Sequence, residues 1–151
     1  VNVPIMGHYA GSGPYYEGTY TGISSPLAVG RFPRMAGADV VMINTPYGGY
    51  PLKRQKYLRT FHELSMPLGN MKRSLTSVGG GVRPGLVRRF IDDLGADIML
   101  SPGGAIQGHP MGPAAGVRAM LQAIEAAMQQ ISAEEMAKEH QELKIALDTW
   151  G

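Results

Sequence analysis

The sequence predicts an α/β fold built on a parallel sheet, and three observations predict it. Short apolar runs of strand length recur along the 151-residue chain, as at residues 38–43 and 97–100. Each run leads into a turn rich in glycine or proline, and each turn leads into a segment with apolar residues at helical spacing. Runs with little alternation suit parallel strands covered on both faces, and a strand–turn–helix rhythm argues for covering helices.

Taken in order, Val3-Pro4-Ile5-Met6 is a short strand candidate, and a polar, glycine-rich stretch follows over residues 7–21. Ser24-Ser25-Pro26 supplies an N-cap and a first-turn proline for a helix reaching about Ala36, which Pro33 should kink or split. Residues 38–43 form the second strand. A turn-rich loop from Asn44 to Tyr50 precedes a helix carrying Leu52, Tyr57, Leu58, Phe61 and Leu64. The third strand, residues 74–78, ends in Gly79-Gly80-Gly81. The helix after Pro84 has Leu86, Val87, Phe90, Ile91 and Leu94 at helical spacing. The fourth strand, residues 97–100, ends at Gly103-Gly104. From about Ala114 to Trp150 the pattern is helical, broken near Ile131-Ser132, where Ser132 and Glu135 form a capping box. Glu134, Glu135 and Glu139 then fall in the first turns of the last helix, where they suit its dipole. Four β/α units fit two architectures: an open doubly wound sheet complete in itself, or half of a barrel that takes about 250 residues for eight units. Length does not choose between them.

Composition narrows the function. Hydrophobic residues make up 44% and charged residues 17%, as in ordinary globular proteins. No apolar run approaches the roughly 18 residues of a membrane span. The N-terminal residues lack a basic segment followed by an apolar one, so nothing reads as a signal peptide, and the missing initiator Met suggests a trimmed chain or a fragment. With no cysteine, disulfides, thiolate catalysis and Cys-based zinc sites are excluded, and a cytoplasmic location fits. Net charge is +2, and the basic residues are scattered rather than gathered in a stripe with aromatics, which disfavours nucleic acid. A small anionic substrate suits the balance better.

The glycine turns carry the most local information. Gly79-Gly80-Gly81 and Gly103-Gly104 each end a short apolar strand, where bare backbone can approach a ligand and its N–H groups can cradle an anion. They are phosphate-binding candidates, against the plainer reading of tight turns. His8, Tyr9 and Ser12 follow the first strand and share that edge of the sheet. His8 is a candidate acid/base because imidazole titrates near neutrality. His109, beside Pro110, reads more readily as a cap or packing group. Asp92-Asp93 reads as a solvated helix face. No Ser/His/Asp order and no metal-ligand spacing stands out.

The run Gly79-Gly80-Gly81, a helix ending in Leu94-Gly95, then residues 97–116 with Gly103-Gly104-Ala105-Ile106-Gln107-Gly108-His109-Pro110-Met111-Gly112 resembles the RuBisCO large-subunit superfamily. The family pattern is a Gly-Gly turn, a helix, a strand, then Gly-Gly-Gly-x-x-Gly-His-Pro-x-Gly and a small-residue helix. The resemblance covers essentially the whole chain. It implies the C-terminal half, strands 5–8, of a (β/α)8 TIM barrel with C-terminal helices, one partial catalytic barrel domain over residues 1–151. It also implies that Gly80 and Gly81 on strand 7, with Gly103 and Gly104 on strand 8, hold a phosphate, and that His8 is the first His of the family's His-Arg-x-x-His run.

Departures from the family pattern bear on function. Tyr9 stands at the Arg of that run and Ser12 at its second His. Met42 stands at the strand-6 His, Gly49 at the loop-6 lysine and Gly79 at the strand-7 Ser. This is the pattern of a RuBisCO-like protein and not of a carboxylase. It implies an isomerase or enolase of a singly phosphorylated sugar derivative, such as 5-methylthioribulose 1-phosphate or its diketo descendant, in methionine salvage. Tyr9, Ser12, Asn44 and Thr45 are the substrate-binding candidates. The chemistry implied is proton abstraction next to a carbonyl, with Mg2+ stabilising the enediolate through ligands outside this chain. The resemblance further implies a partner in the N-terminal half of the same protein, a homodimer, and a chain inactive by itself. A sugar-acid phosphate decarboxylase and a non-catalytic half-barrel that acts in assembly are the alternatives.

Overall fold

Four strands lie in one sheet in the order β1-β2-β3-β4, with the β1–β2 and β2–β3 pairs parallel. The computed structural model describes residues 2–20 and 22–151; Val1, and Thr21 at the end of the expected loop, lie outside the described residues. The elements run β1 (Met6–Gly7), α1 (Gly13–Tyr16), a π-helical turn (Leu27–Arg31), α2 (Phe32–Met35), β2 (Val40–Asn44) and α3 (Arg54–Ser65). They continue with β3 (Leu75–Gly79), a 3-10 turn (Pro84–Leu86), α4 (Val87–Leu94), β4 (Ile98–Ser101), α5 (Gly104–Gln107), α6 (Pro113–Met128), α7 (Ala133–Met136) and α8 (Gln141–Trp150). The α/β architecture of a parallel sheet with covering helices is the one expected.

Several boundaries differ from expectation, each for a local reason. The first strand shrinks to two residues. Pro4 has no N–H to offer a ladder, and the Ile5 N–H goes to Asp39 Oδ2 at 2.8 Å instead of to a strand partner. The helix before β2 is interrupted one turn earlier than Pro33 itself. Pro33 cannot donate to the Val29 carbonyl, and the preceding turn widens so that Phe32 N–H bonds the Leu27 carbonyl, five residues back. Two one-turn helices, α1 and α5, occupy stretches expected to be loop. The C-terminal helical region breaks twice, once at Ser132 and again at residues 137–140. Glu139 therefore lies in a turn, outside the last helix. At the first break Ser132 Oγ accepts the Glu135 N–H at 3.0 Å, as the capping pattern requires.

The chain divides into two compact units. The first, Val1–Gly80 with Asp97–Leu100, has its core on one face of the sheet. Val41, Ile43 and Val78 point there and are buried with Tyr57 and Leu64 of α3, which packs on β2 and β3. The register Met42↔Ser77 and Asn44↔Gly79 puts Val40, Met42 and Asn44 on the opposite face beside Leu75, Ser77 and Gly79. Arg34 of α2 is 3% exposed and clamps this unit. Its guanidinium donates to the carbonyls of Lys72 (2.8 Å), Glu63 (3.0 Å), Met66 (2.7 Å) and Met71 (3.2 Å). Two of these carbonyls lie at the end of α3, where unpaired C=O groups and the helix dipole favour a cation.

The second unit, Gly81–Ala96 with Ser101–Gly151, is a helical cluster around Val87, Phe90, Leu143 and the alanines of α6, Ala115, Ala119, Ala123 and Ala126. His109 is 3% exposed here. Its Nδ1 accepts the Met111 N–H at 3.1 Å, which leaves Nε2–H to donate to the Glu142 carbonyl at 3.0 Å. The packing role expected of His109 is the one found.

Candidate active site

Parallel strands put all their C-terminal ends at one edge, so the loops after β1, β2 and β3 meet there. After β1, His8 is exposed and its Nδ1 accepts the Ala10 N–H at 2.9 Å, so the neutral ring carries its proton on Nε2. Its ring stacks on Tyr9 with centroids 4.5 Å apart. Ser12 closes the loop: its Oγ and N–H both donate to the Tyr9 carbonyl, at 2.5 and 3.0 Å. The Tyr16 phenol, one turn on, is held above its ordinary pKa of 10.0 by burial, against a hydrogen bond with the Ser12 side chain that acts the other way. It presents a neutral hydroxyl at physiological pH.

At the end of β2, Asn44 and Thr45 diverge. Thr45 is buried, and its hydroxyl is committed: Oγ1 donates to the Gly80 carbonyl at 2.8 Å and accepts the Tyr47 N–H at 3.2 Å. It braces the glycine turn and does not face the opening. Gly80 has φ +81° and Gly81 φ +77°, both in the left-handed region where a side chain would be strained. Because the peptide between them is trans and planar, a Gly80 carbonyl aimed at Thr45 turns the Gly81 N–H the opposite way. Asn44 Oδ1 comes within 3.6 Å of where a Cβ on Gly80 would stand. Beside this pair, Met42 Sδ lies 2.8 Å from the corresponding position on Gly79.

An open cavity of about 450 Å³ adjoins Asn44 within the first unit. That is the size of ordinary small-molecule sites. Tyr9, Tyr16, Glu17, Gly49, Tyr50 and Leu52 line it; no Lys, Arg or His is among its described lining residues. Of the expected substrate-binding residues, the cavity gathers Tyr9 and Asn44. Ser12 and Thr45 hold loop and turn instead, and His8 stands outside the wall, against Tyr9. Tyr16, Tyr50 and Glu17 are not marked by the sequence, and Leu52, expected on the helix after β2, lies just before α3. A signal was present: every tyrosine except Tyr57 falls in the two loops that follow β1 and β2.

In the second unit, Gly103 and Gly104 follow β4, and Gly103 is the N-cap of α5. The next cation after the first glycine turn is Arg83, whose Nε is buried with no hydrogen-bond partner among the described residues. Among the described residues no group of three or more His, Asp or Glu side chains could hold a metal ion. No helix of the described residues is long and apolar enough to cross a membrane.

Residues 2–150 match the family model described as ribulose bisphosphate carboxylase large chain, catalytic domain. A ribulose bisphosphate carboxylase-like protein of Archaeoglobus fulgidus is 41% identical over 129 residues, covering 85% of this chain and 30% of that protein. A 2,3-diketo-5-methylthiopentyl-1-phosphate enolase of Exiguobacterium sibiricum is 38% identical over all 151 residues, which is 38% of the enzyme. The crystal structure of a rubisco-like protein from Alicyclobacillus acidocaldarius superposes with TM-score 0.93 at 38% identity, over 99% of this chain and 38% of that one. The chain thus spans well under half the length of these relatives.

Proposed function

The chain belongs to the ribulose bisphosphate carboxylase large-chain family, as a fragment of the C-terminal part of a RuBisCO-like protein, and we propose that it contributes the substrate-binding half of an enolase acting on a singly phosphorylated diketone. The substrate class is that of 2,3-diketo-5-methylthiopentyl 1-phosphate, the compound named for the Exiguobacterium relative. One observation carries the reading: Tyr9 and Gly49, the positions at which the resemblance puts the family's Arg and loop lysine, line one cavity with no cation among its described lining residues. A second phosphate has no counter-charge there, so carbon fixation on a bisphosphate is disfavoured. The phosphate that the substrate does carry is assigned, on the family resemblance, to the Gly80-Gly81 turn after β3 and the Gly103-Gly104 turn after β4. Support comes from the positive φ of the first pair and from the Thr45 brace that fixes its peptide.

On this reading the chain's own residues bind and orient. Asn44 lies between turn and cavity and contacts the carbonyl-bearing carbons, while His8 is a candidate for moving a proton through Nε2. RuBisCO-family enzymes typically use Mg2+, which stabilises a developing enediolate. The described residues do not fit a metal, so its ligands and the base that takes the α-proton are assigned to an N-terminal half of the same protein. The chain alone is then inactive, and a cytoplasmic homodimer is the expected assembly. The test is turnover by the full-length purified protein with Mg2+. The diketone phosphate should be enolised, 5-methylthioribulose 1-phosphate tests the isomerase form of the chemistry, and ribulose 1,5-bisphosphate should fix no CO2. Carboxylation, or inertness toward both single phosphates, overturns the proposal.

A further inference from the structure

We propose that His109 is a positioning residue for the phosphate: through its ring the C-terminal helix α8 holds the Gly103-Gly104 turn in shape, and so sets the affinity of that turn for the anion. The inference rests on the phosphate assignment made above and deepens it with a residue which that assignment does not use.

Three features carry it, all within the second unit. The first is that the turn has two unlike sides. A Cβ on Gly103 or Gly104 would meet no atom of the described residues within 4 Å, and neither glycine has a positive φ. Neither packing nor backbone conformation calls for glycine there, and the missing side chains leave bare main chain facing open space, as a closely approaching ligand requires. The far side is packed: a Cβ on Gly116 of α6 would stand 2.4 Å from the Ile106 carbonyl oxygen, and one on Gly108 2.9 Å from that of Gly104. The second is a hydrogen-bond relay. Gly108 N–H donates to the Gly104 carbonyl at 2.8 Å. The peptide is trans and planar, so that bond aims the Ala105 N–H the opposite way, and a shift at Gly108 reorients this donor of the turn. The third is the anchor. His109 directly follows Gly108, and both ends of α8 bear on these two residues. In the first turn of α8 the Glu142 carbonyl accepts from His109 Nε2–H at 3.0 Å. At the last, Trp150 meets the His109 ring edge-on with centroids 6.2 Å apart, and its Cζ2 lies 3.8 Å from the Cβ position of Gly108. The Nδ1 bond to the Met111 N–H is local, so of the two ring nitrogens Nε2 is the one that reaches α8.

The test is calorimetric binding of inorganic phosphate to the full-length protein, with steady-state kinetics on the diketone phosphate. His109→Gln keeps a donor near the place of Nε2 and should bind phosphate as the wild type does. His109→Asn keeps an acceptor near the place of Nδ1 but does not reach α8. It should weaken phosphate roughly tenfold, the effect of one misplaced charge-assisted donor, and raise KM in step with kcat nearly unchanged. Val87→Ala, which opens a cavity in the core under α4, should lower the melting temperature and leave phosphate affinity unaltered, so lost stability and lost positioning read out separately. A His109→Asn protein that binds phosphate like the wild type, or a His109→Gln protein as weak as His109→Asn, overturns the positioning role. Gly104→Ala tests the phosphate assignment itself: with open space for its Cβ it should fold without loss of stability and lose phosphate binding. A wild-type protein that binds no phosphate, or a Gly104→Ala protein that binds it undiminished, overturns that assignment instead, so the two failures are distinct.

Discussion

The thioether of Met42 occupies the space that a side chain on Gly79 would need: Sδ is 2.8 Å, and Cγ 3.2 Å, from where its Cβ would lie. The register pairs Asn44 with Gly79, and Met42, two residues earlier on the same face, leans across that glycine. The resemblance implies a departure from the family's pattern at both positions, and the contact makes them one packing event. The methionine fits only because the neighbouring strand carries no Cβ there.

Gly79→Ser should therefore destabilise the full-length protein by about 1–3 kcal/mol, the usual cost of overpacking. In a Met42→Ala background the same substitution should cost much less, since the obstacle is gone. A double-mutant cycle from denaturation midpoints measures the coupling, and additive effects would show that the two residues do not compete for space.

Thr45→Val keeps the shape of the side chain and removes the hydroxyl that holds the Gly80 carbonyl. A loss of about 1 kcal/mol in stability is expected from the lost hydrogen bond to the Gly80 carbonyl. If the turn binds phosphate, KM for the phosphorylated substrate should rise with little change in kcat. A kcat effect alone would instead put Thr45 in the chemistry.

Arg34 is a buried cation satisfied by four main-chain carbonyls. Arg34→Met should cost about 3 kcal/mol or more, because each carbonyl loses a charge-assisted donor. Arg34→Lys should rescue little, since an ammonium cannot span positions reached by a planar fork. Thermal unfolding of the three proteins decides this.

Glu142 links α8 to α6. Its carboxylate accepts from Arg118 Nε at 2.7 Å and Gln122 Nε2 at 3.3 Å, and the Arg118 hydrogen bond is the largest cause of a pKa lowered from 4.5 to about 2. A carboxyl whose pKa is depressed in the folded state stabilises that state above its unfolded pKa. Its contribution should be complete above about pH 5 and fade as pH falls from there toward 2. Arg118→Met should lower stability above about pH 5, where the interaction is complete, and should approach the wild type as pH falls toward 2, so that its profile is flatter over that window. An unchanged acid limb in the variant would remove Glu142 as its source.

Strand-length apolar runs ending in glycine pairs made the α/β class, the four strands and the helices after Lys53 and Pro84 legible. Their signal is periodic and local, and Val41, Ile43, Val78, Phe90 and Leu94 are buried as the pattern demands. Less legible were elements whose ends depend on distant partners. The first strand yields its Ile5 N–H to Asp39, 34 residues on. The helix near Pro33 absorbs the missing donor as a π turn, and the C-terminal helices break a second time at residues 137–140.

The candidate site divides the same way. Residue type and position after a strand marked His8, Tyr9, Asn44 and the glycine turns, because an exposed loop polar group and a bare backbone are local properties. Their separate tasks were not local. Asn44 and Thr45 are neighbours in sequence, yet one edges the cavity and the other is buried beneath the turn at Gly80, 35 residues away. Tyr16, Tyr50 and Glu17 share one wall only because β1 and β2 are paired in parallel and release their loops at the same edge. Periodicity and glycine placement thus settle class and strand order along the chain, whereas which side chain faces the ligand is set by pairing across strands, a relation between residues that no stretch of sequence contains.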